Sequence, residues 1–268
     1  RAESGERSTA VGHLATATGI RSVAIGENAD AQGDNATAIG NESIANGADA
    51  LAIGDTAMAT GPSTTAVGGE SVATGPGAST FGWRAESGER STAVGHLATA
   101  TGVRSVAIGE NADAQGDNAT AIGNESIANG ADALAIGDTT MATGTSTTAV
   151  GGESIANGTA ATAFGWKSNA TGERAHAMGH LATATGDRTL AVGEAATAAG
   201  EQASAIGNEA SATGIDATAI GTQSIANGNS TTAVGGESVA DGLAATAYGW
   251  KSNATGERAH AMGHLATA

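Results

Sequence analysis

Glycine returns every seventh residue. The spacing holds from Gly5 to Gly82 and, after one six-residue step, from Gly88 to Gly263, and it takes in 38 of the 42 glycines. A helix interior would lose roughly 0.5–1 kcal/mol at each glycine relative to alanine, so long helices are excluded. Collagen needs glycine at every third position. A coiled coil repeats every seven residues too, but it needs two apolar seam positions per heptad, and the recurring residue here is glycine.

Successive heptads differ, as Ile20–Gly26 and Glu27–Gly33 do, so the true unit is fourteen residues. About nineteen units follow one another. Above them lies a longer repeat, with 1–83 recurring almost unchanged as 84–166, a diverged copy at 167–250 and a partial one at 251–268. Such self-similarity indicates a solenoid in which each unit buries its face only against its neighbours. The chain is therefore expected to be one array, 1–268. It opens and closes in mid-repeat, as a segment of a longer array would.

Within each heptad the residue two before the glycine is Ala in 35 of 38 cases, and the residue four before is almost always Ala, Ser or Thr. Small residues at alternate positions share one face of a strand, and that face is expected to point inward. The residue immediately before every second glycine is large and apolar: Val11, Ile25, Ile39, Ile53, Val67, Phe81, Val94, Ile108, Ile122, Ile136, Val150, Phe164, Met178, Val192, Ile206, Ile220, Val234, Tyr248 and Met262. In the intervening heptads that slot is polar, except at Ala199. Each unit thus reads as strand, turn, strand, turn, with glycine as the expected turn residue. Nineteen coils about 4.8 Å apart would form a flattened roll on the order of 90 Å long. Its interior holds only small side chains, while the large ones form an outer stripe. Full burial of that stripe would contribute on the order of 30–55 kcal/mol before entropy is counted, so self-association through it is expected.

Several positions break the pattern. The step from Gly82 to Gly88 lacks one residue, and because an unpaired buried carboxylate is costly, the expected register keeps Ala85 and Ser87 inward and Glu86 in water. Trp83, Trp166 and Trp250 recur once per long repeat, either as exposed anchors for a partner or as rings clamped between subunits. His13, His96, His180 and His264 follow a glycine in turns. On the mostly polar strand Ile44, Met58 and Val72 line up, and Ile127, Met141 and Ile155 repeat them, with Ile225 and Val239 as a shorter copy. These form an adhesive stripe unless a neighbouring subunit covers them.

A formal charge of −16 repels phosphate backbones, so nucleic acid is not an expected partner. No apolar run approaches the roughly 20 residues that span a bilayer. The absence of Cys removes disulfides and thiolate chemistry. Acids are scattered among turns instead of clustering in a groove, so no catalysis, cofactor or metal is expected. Ice-binding solenoids are also rich in Ala, Thr and Gly, but they need Thr-X-Thr in register on consecutive coils. Here the pair Thr16 and Thr18 is followed by Asp30 and Gln32.

The SVAIG segments at 22–26 and 105–109, with the related TAIG, LAIG, TAVG and LAVG endings at fourteen-residue spacing, resemble the head repeats of the YadA-like trimeric autotransporter adhesins. The resemblance runs the length of the chain. It implies an all-β fold, a left-handed parallel β-roll in each subunit, and a homotrimer with the Val/Ile stripe on its threefold axis. It also implies an adhesive role on a Gram-negative cell surface, extracellular at the outer membrane, toward extracellular matrix, host cells or other copies. A membrane would be reached only through a C-terminal anchor outside these residues. A passive spacer carrying another binding domain is the alternative. His176 and His260 stand three before their glycines, on the axial face, as packed polar residues or as rings holding water, an anion or a metal.

Overall fold

The structure, a computed structural model, describes residues 2–268. It divides into two units, Arg1–Asp132 and Ala133–Ala268. Each is all-β and built the same way. Strands of two and three residues alternate, beginning in the first unit with β1 (Glu3–Ser4), β2 (Thr9–Val11), β3 (Thr16–Ala17) and β4 (Val23–Ile25). The second unit runs from Leu134–Ile136 to His260–Met262. Two strands make a coil, so the 38 strands give about nineteen coils between the two units.

Within each unit the strands pair in parallel with their counterparts in the neighbouring coils. Val23, Ala24 and Ile25 lie opposite Thr37, Ala38 and Ile39, and Thr16 and Ala17 lie opposite Asp30 and Ala31. A coil therefore takes fourteen residues, and each unit has a broad sheet of three-residue strands facing a narrow sheet of two-residue strands. Between the sheets lie only small side chains. In one coil Ser22, Ala24, Ala29 and Ala31 are all fully buried, and the largest wholly buried side chains are threonines such as Thr64, Thr147 and Thr231. The threonine hydroxyls do not stay unpaired. Ser22, Thr64 and Thr147 each donate to the carbonyl of the glycine three residues before, at 2.7 Å, which offsets the cost of burying a polar group.

The turns differ from the expectation in one respect. The left-handed residue is the second one after the glycine, with φ of 50–60° at positions as varied as Leu14, Asn28, Thr56 and Lys167. Each turn runs Gly-X-Y, Y being left-handed, and closes where the next amide donates back to the glycine carbonyl, as Ala36 does to Gly33 at 3.1 Å. A left-handed third residue is the mark of a type II turn, and Pro62 and Pro76 occupy the second position, where a fixed φ is favourable. Glycine at the first position answers a different need. A Cβ on Gly186 would sit 2.6 Å from the carbonyl oxygens of Ala199 and Gly200 in the next coil. Coil stacking calls for glycine there, and after the three-residue strands turn geometry does too, Gly12, Gly26 and Gly40 having φ of 138–140°.

The short coil adopts the expected register. Val72 pairs with Glu86 fourteen residues on, whereas Ser79 pairs with Thr92 and Glu86 with Thr99, each thirteen on. Ala85 and Ser87 are fully buried and Glu86 is exposed. Thr80 replaces the usual inward Ala in this coil, and its hydroxyl bonds to that of Ser87. Coil Glu3–Thr16 is shortened in the same way.

Candidate functional site

The broad sheet carries its large side chains outward in unbroken ladders. In the first unit Val11, Ile25, Ile39, Ile53, Val67, Phe81, Val94, Ile108 and Ile122 occupy successive rungs. Ile136, Val150, Phe164, Met178, Val192, Ile206, Ile220, Val234, Tyr248 and Met262 do so in the second. Neighbouring rungs shield each other only in part. Val11 is 55% exposed, Ile25 40% and Phe164 51%. An apolar ladder of this length exceeds the patches that soluble surfaces ordinarily show.

His176 and His260 project from the same sheet, two residues before Met178 and Met262, and all four side chains are exposed. Thr162 and Leu190 flank His176 on the adjacent rungs. No group of three or more His, Cys, Asp or Glu among the described residues is arranged to hold a metal ion.

On the narrow sheet Asp30, Ile44, Met58, Val72 and Glu86 form one continuous ladder. The same sheet pairs Asp113 with Ile127 in the first unit, and Met141 with Ile155 and Ile225 with Val239 in the second. The turn residues Asn28, Glu42 and Thr56 stand beside Asp30, Ile44 and Met58 and enclose a groove of about 420 Å³ with them. Ile44 and Met58 give it apolar surface, and Asp30 and Glu42 are its acids. Burial raises the Asp113 carboxyl above its ordinary value of 3.8, against a hydrogen bond from Gln115 that works to lower it. Gln32 likewise donates to Asp30 at 2.6 Å. This pair occupies the rung after Thr16 and Thr18, so no flat threonine array forms there.

The tryptophans engage their own chain, a third arrangement beside exposed anchors and rings clamped between subunits. Trp83 stacks on His96 with ring centroids 5.0 Å apart, Trp166 on His180 at 5.0 Å and Trp250 on His264 at 4.9 Å. A cation lies over each indole: Arg84 at 5.0 Å, Lys167 at 4.2 Å and Lys251 at 4.4 Å. Those cations also pair with Glu70, Glu153 and Glu237 one coil earlier, and His96 and His180 reach Glu110 and Glu194 one coil later. Gly69, Gly152 and Gly236, three of the four glycines outside the seven-residue series, lie beneath the rings. A Cβ on any of them would meet an indole Cδ1 at 3.2–3.3 Å. The signal was present in the sequence as Gly-Gly, Gly-Trp and Gly-His on consecutive coils.

Two-coil segments of the chain match the YadA head domain repeat at 4–29, 31–57, 59–85, 87–112, 114–140, 142–168, 170–193, 184–210, 212–238 and 226–252. The chain belongs to the YadA head family. No curated protein matches it in sequence. Among solved structures, this YadA-type head is similar to the collagen-binding domain of the Yersinia adhesin YadA, at 26% identity over 64% of this chain and 69% of that one, with a TM-score of 0.30. Among the described residues no helix is long and apolar enough to cross a membrane.

Proposed function

We propose that the chain is the adhesin head of a Gram-negative trimeric autotransporter, displayed outside the cell at the outer membrane and attaching it to extracellular matrix, host cells or other copies of itself. The observation that carries this reading is the exposed apolar ladder of the broad sheet on a chain of the YadA head family. Three copies packed broad sheet to broad sheet about a common axis would remove that ladder from water, as the hydrophobic effect favours. The narrow sheet and its turns would then face outward, with the groove beside Ile44 and Met58 available to a ligand and the stripes Ile44, Met58, Val72 and Ile127, Met141, Ile155 as adhesive surface. Repetition along the array multiplies weak contacts, and linked weak contacts raise avidity without any new interaction. The acidic and hydroxyl side chains are spread over many coils, which suits recognition and not a catalytic step.

The test is binding of the purified head to a panel of matrix proteins, with collagen first, and to itself, with the mass measured by sedimentation under the same conditions. A trimer that binds at least one member supports the reading. A trimer that binds nothing makes the head a spacer for another domain, and thermal hysteresis in the same sample would make it an ice-binding solenoid.

A further inference from the structure

The third long repeat departs from the first two at several places on the broad sheet, and one of these changes the chemistry of both outward side chains. Where residues 8–11 and 91–94 read Ser-Thr-Ala-Val, residues 175–178 and 259–262 read Ala-His-Ala-Met. The two outward side chains change together: Thr92 and Val94 correspond to His176 and Met178, and the same exchange recurs at His260 and Met262. Thr92 and Val94 are half-buried and Thr9 and Val11 exposed, and the His and Met side chains are exposed on both of their strands. Each pair therefore presents an imidazole and a thioether on one side of a single strand, roughly 6.6 Å apart along the backbone at about 3.3 Å per residue. Both side chains are long enough to converge on one ion. Nothing within the chain occupies them, since the neighbouring rungs offer Thr162, Leu190, Phe164 and Val192 to the first pair and Thr246 and Tyr248 to the second. His180 and His264, next to each pair in sequence, are held in the stacks on Trp166 and Trp250.

We infer that each His-X-Met pair is a binding site for a soft metal ion, monovalent copper being the ion that this donor set suits. Thioether sulfur favours Cu(I) over the harder divalent ions, imidazole serves copper well, and apolar surroundings favour a singly charged ion over a doubly charged one. One chain supplies two donors at each site. The number of donors beyond two rests on the proposed meeting of broad sheets, which would bring pairs from other copies to the same ion.

Anaerobic titration of the full chain with Cu(I) against a chromophoric Cu(I) chelator tests this, with sedimentation mass recorded in parallel. The reference is the variant H176T/M178V/H260T/M262V, which carries at each site the Thr and Val that the first two repeats already fold with. The chain should withdraw Cu(I) from the chelator, and the variant should do so at least about tenfold more weakly. X-ray absorption should show sulfur bound to copper in the chain and none in M178V/M262V. Equal competition by chain and variant, or a copper site without sulfur, overturns the inference. A chain that sediments as a monomer yet binds copper upholds it and removes the trimer, whereas a trimer that binds no copper does the reverse.

Discussion

Ile25→Asp separates the apolar ladder as an assembly surface from the ladder as an ordinary solvated face. Ile25 keeps 40% of its surface exposed in the single chain. Full burial of an isoleucine is worth roughly 1.5–3 kcal/mol, so covering the remaining 40% contributes about 0.6–1.2 kcal/mol per copy, or roughly 2–4 kcal/mol for three copies meeting at one rung. Aspartate removes that gain and brings three carboxylates together in an apolar interface, at a further cost of several kcal/mol. At 1.4 kcal/mol per tenfold, the association constant should fall by at least about a thousandfold. Within the chain the change touches only an outward position, and the inward Ala24 beside it stays fully buried. The fold should persist by circular dichroism, while sedimentation velocity places the concentration at which the trimer dissociates at least about thirtyfold above that of the wild-type chain, as a thousandfold fall in a three-body association constant requires. Met58→Asp, on the narrow sheet, is the control and should leave the mass unchanged. A trimer undiminished in Ile25→Asp, or a wild-type chain that sediments as a folded monomer, refutes the reasoning.

The other predictions concern the units themselves. Gly186→Ala should cost at least about 3 kcal/mol, because its Cβ meets the backbone of the next coil and not a yielding side chain; hydrogen exchange should lose protection around residues 186–200. Trp166→Ala removes an aromatic stack and a cation over the ring, together about 1–2.5 kcal/mol, and should speed exchange at the Leu181 amide, which donates to the Trp166 carbonyl at 3.0 Å. Burial raises the folded Asp113 pKa above its ordinary 3.8, so the folded state takes up its proton more readily than the unfolded one and the charged carboxylate works against folding. Stability from this group is therefore present below 3.8 and lost as pH rises through the raised folded value. Asp113→Asn should raise the urea midpoint at neutral pH, with the gain vanishing on acidification through that range.

Alternation and glycine spacing made the backbone legible because the coil has so few kinds of position. Ala at 24 and 31 and Ser at 22 can only fit inward, and a ladder from Val11 to Ile122 then has one side left to occupy. Even the missing residue before Gly88 could be placed, since any other register would bury Glu86. Two features were not legible. Left-handed φ at Leu14 or Thr56 has no marker in the residue type, because the turn imposes it and Leu and Thr merely tolerate it. The indole stacks join residues 13–14 apart on consecutive coils, as with Trp83 and His96, and a reading within each heptad does not bring such pairs side by side. Comparing the residue after each glycine down the array does, and it also accounts for Gly69, Gly152 and Gly236.

The thirteen-residue coils at Glu3–Thr16 and Ser79–Thr92 show where this architecture can lose material. One residue has gone from the position ahead of a turn glycine, and the inward Ser87, the pairing of Phe81 with Val94 and the turn that follows all survive. Because a coil meets only the coil before and the coil after it, gain or loss of a whole fourteen-residue block within a unit leaves every remaining contact with an equivalent partner. Unequal recombination between such similar stretches can therefore lengthen or shorten the array with no compensating change elsewhere, and reach becomes a trait that varies independently of the chemistry on the surface.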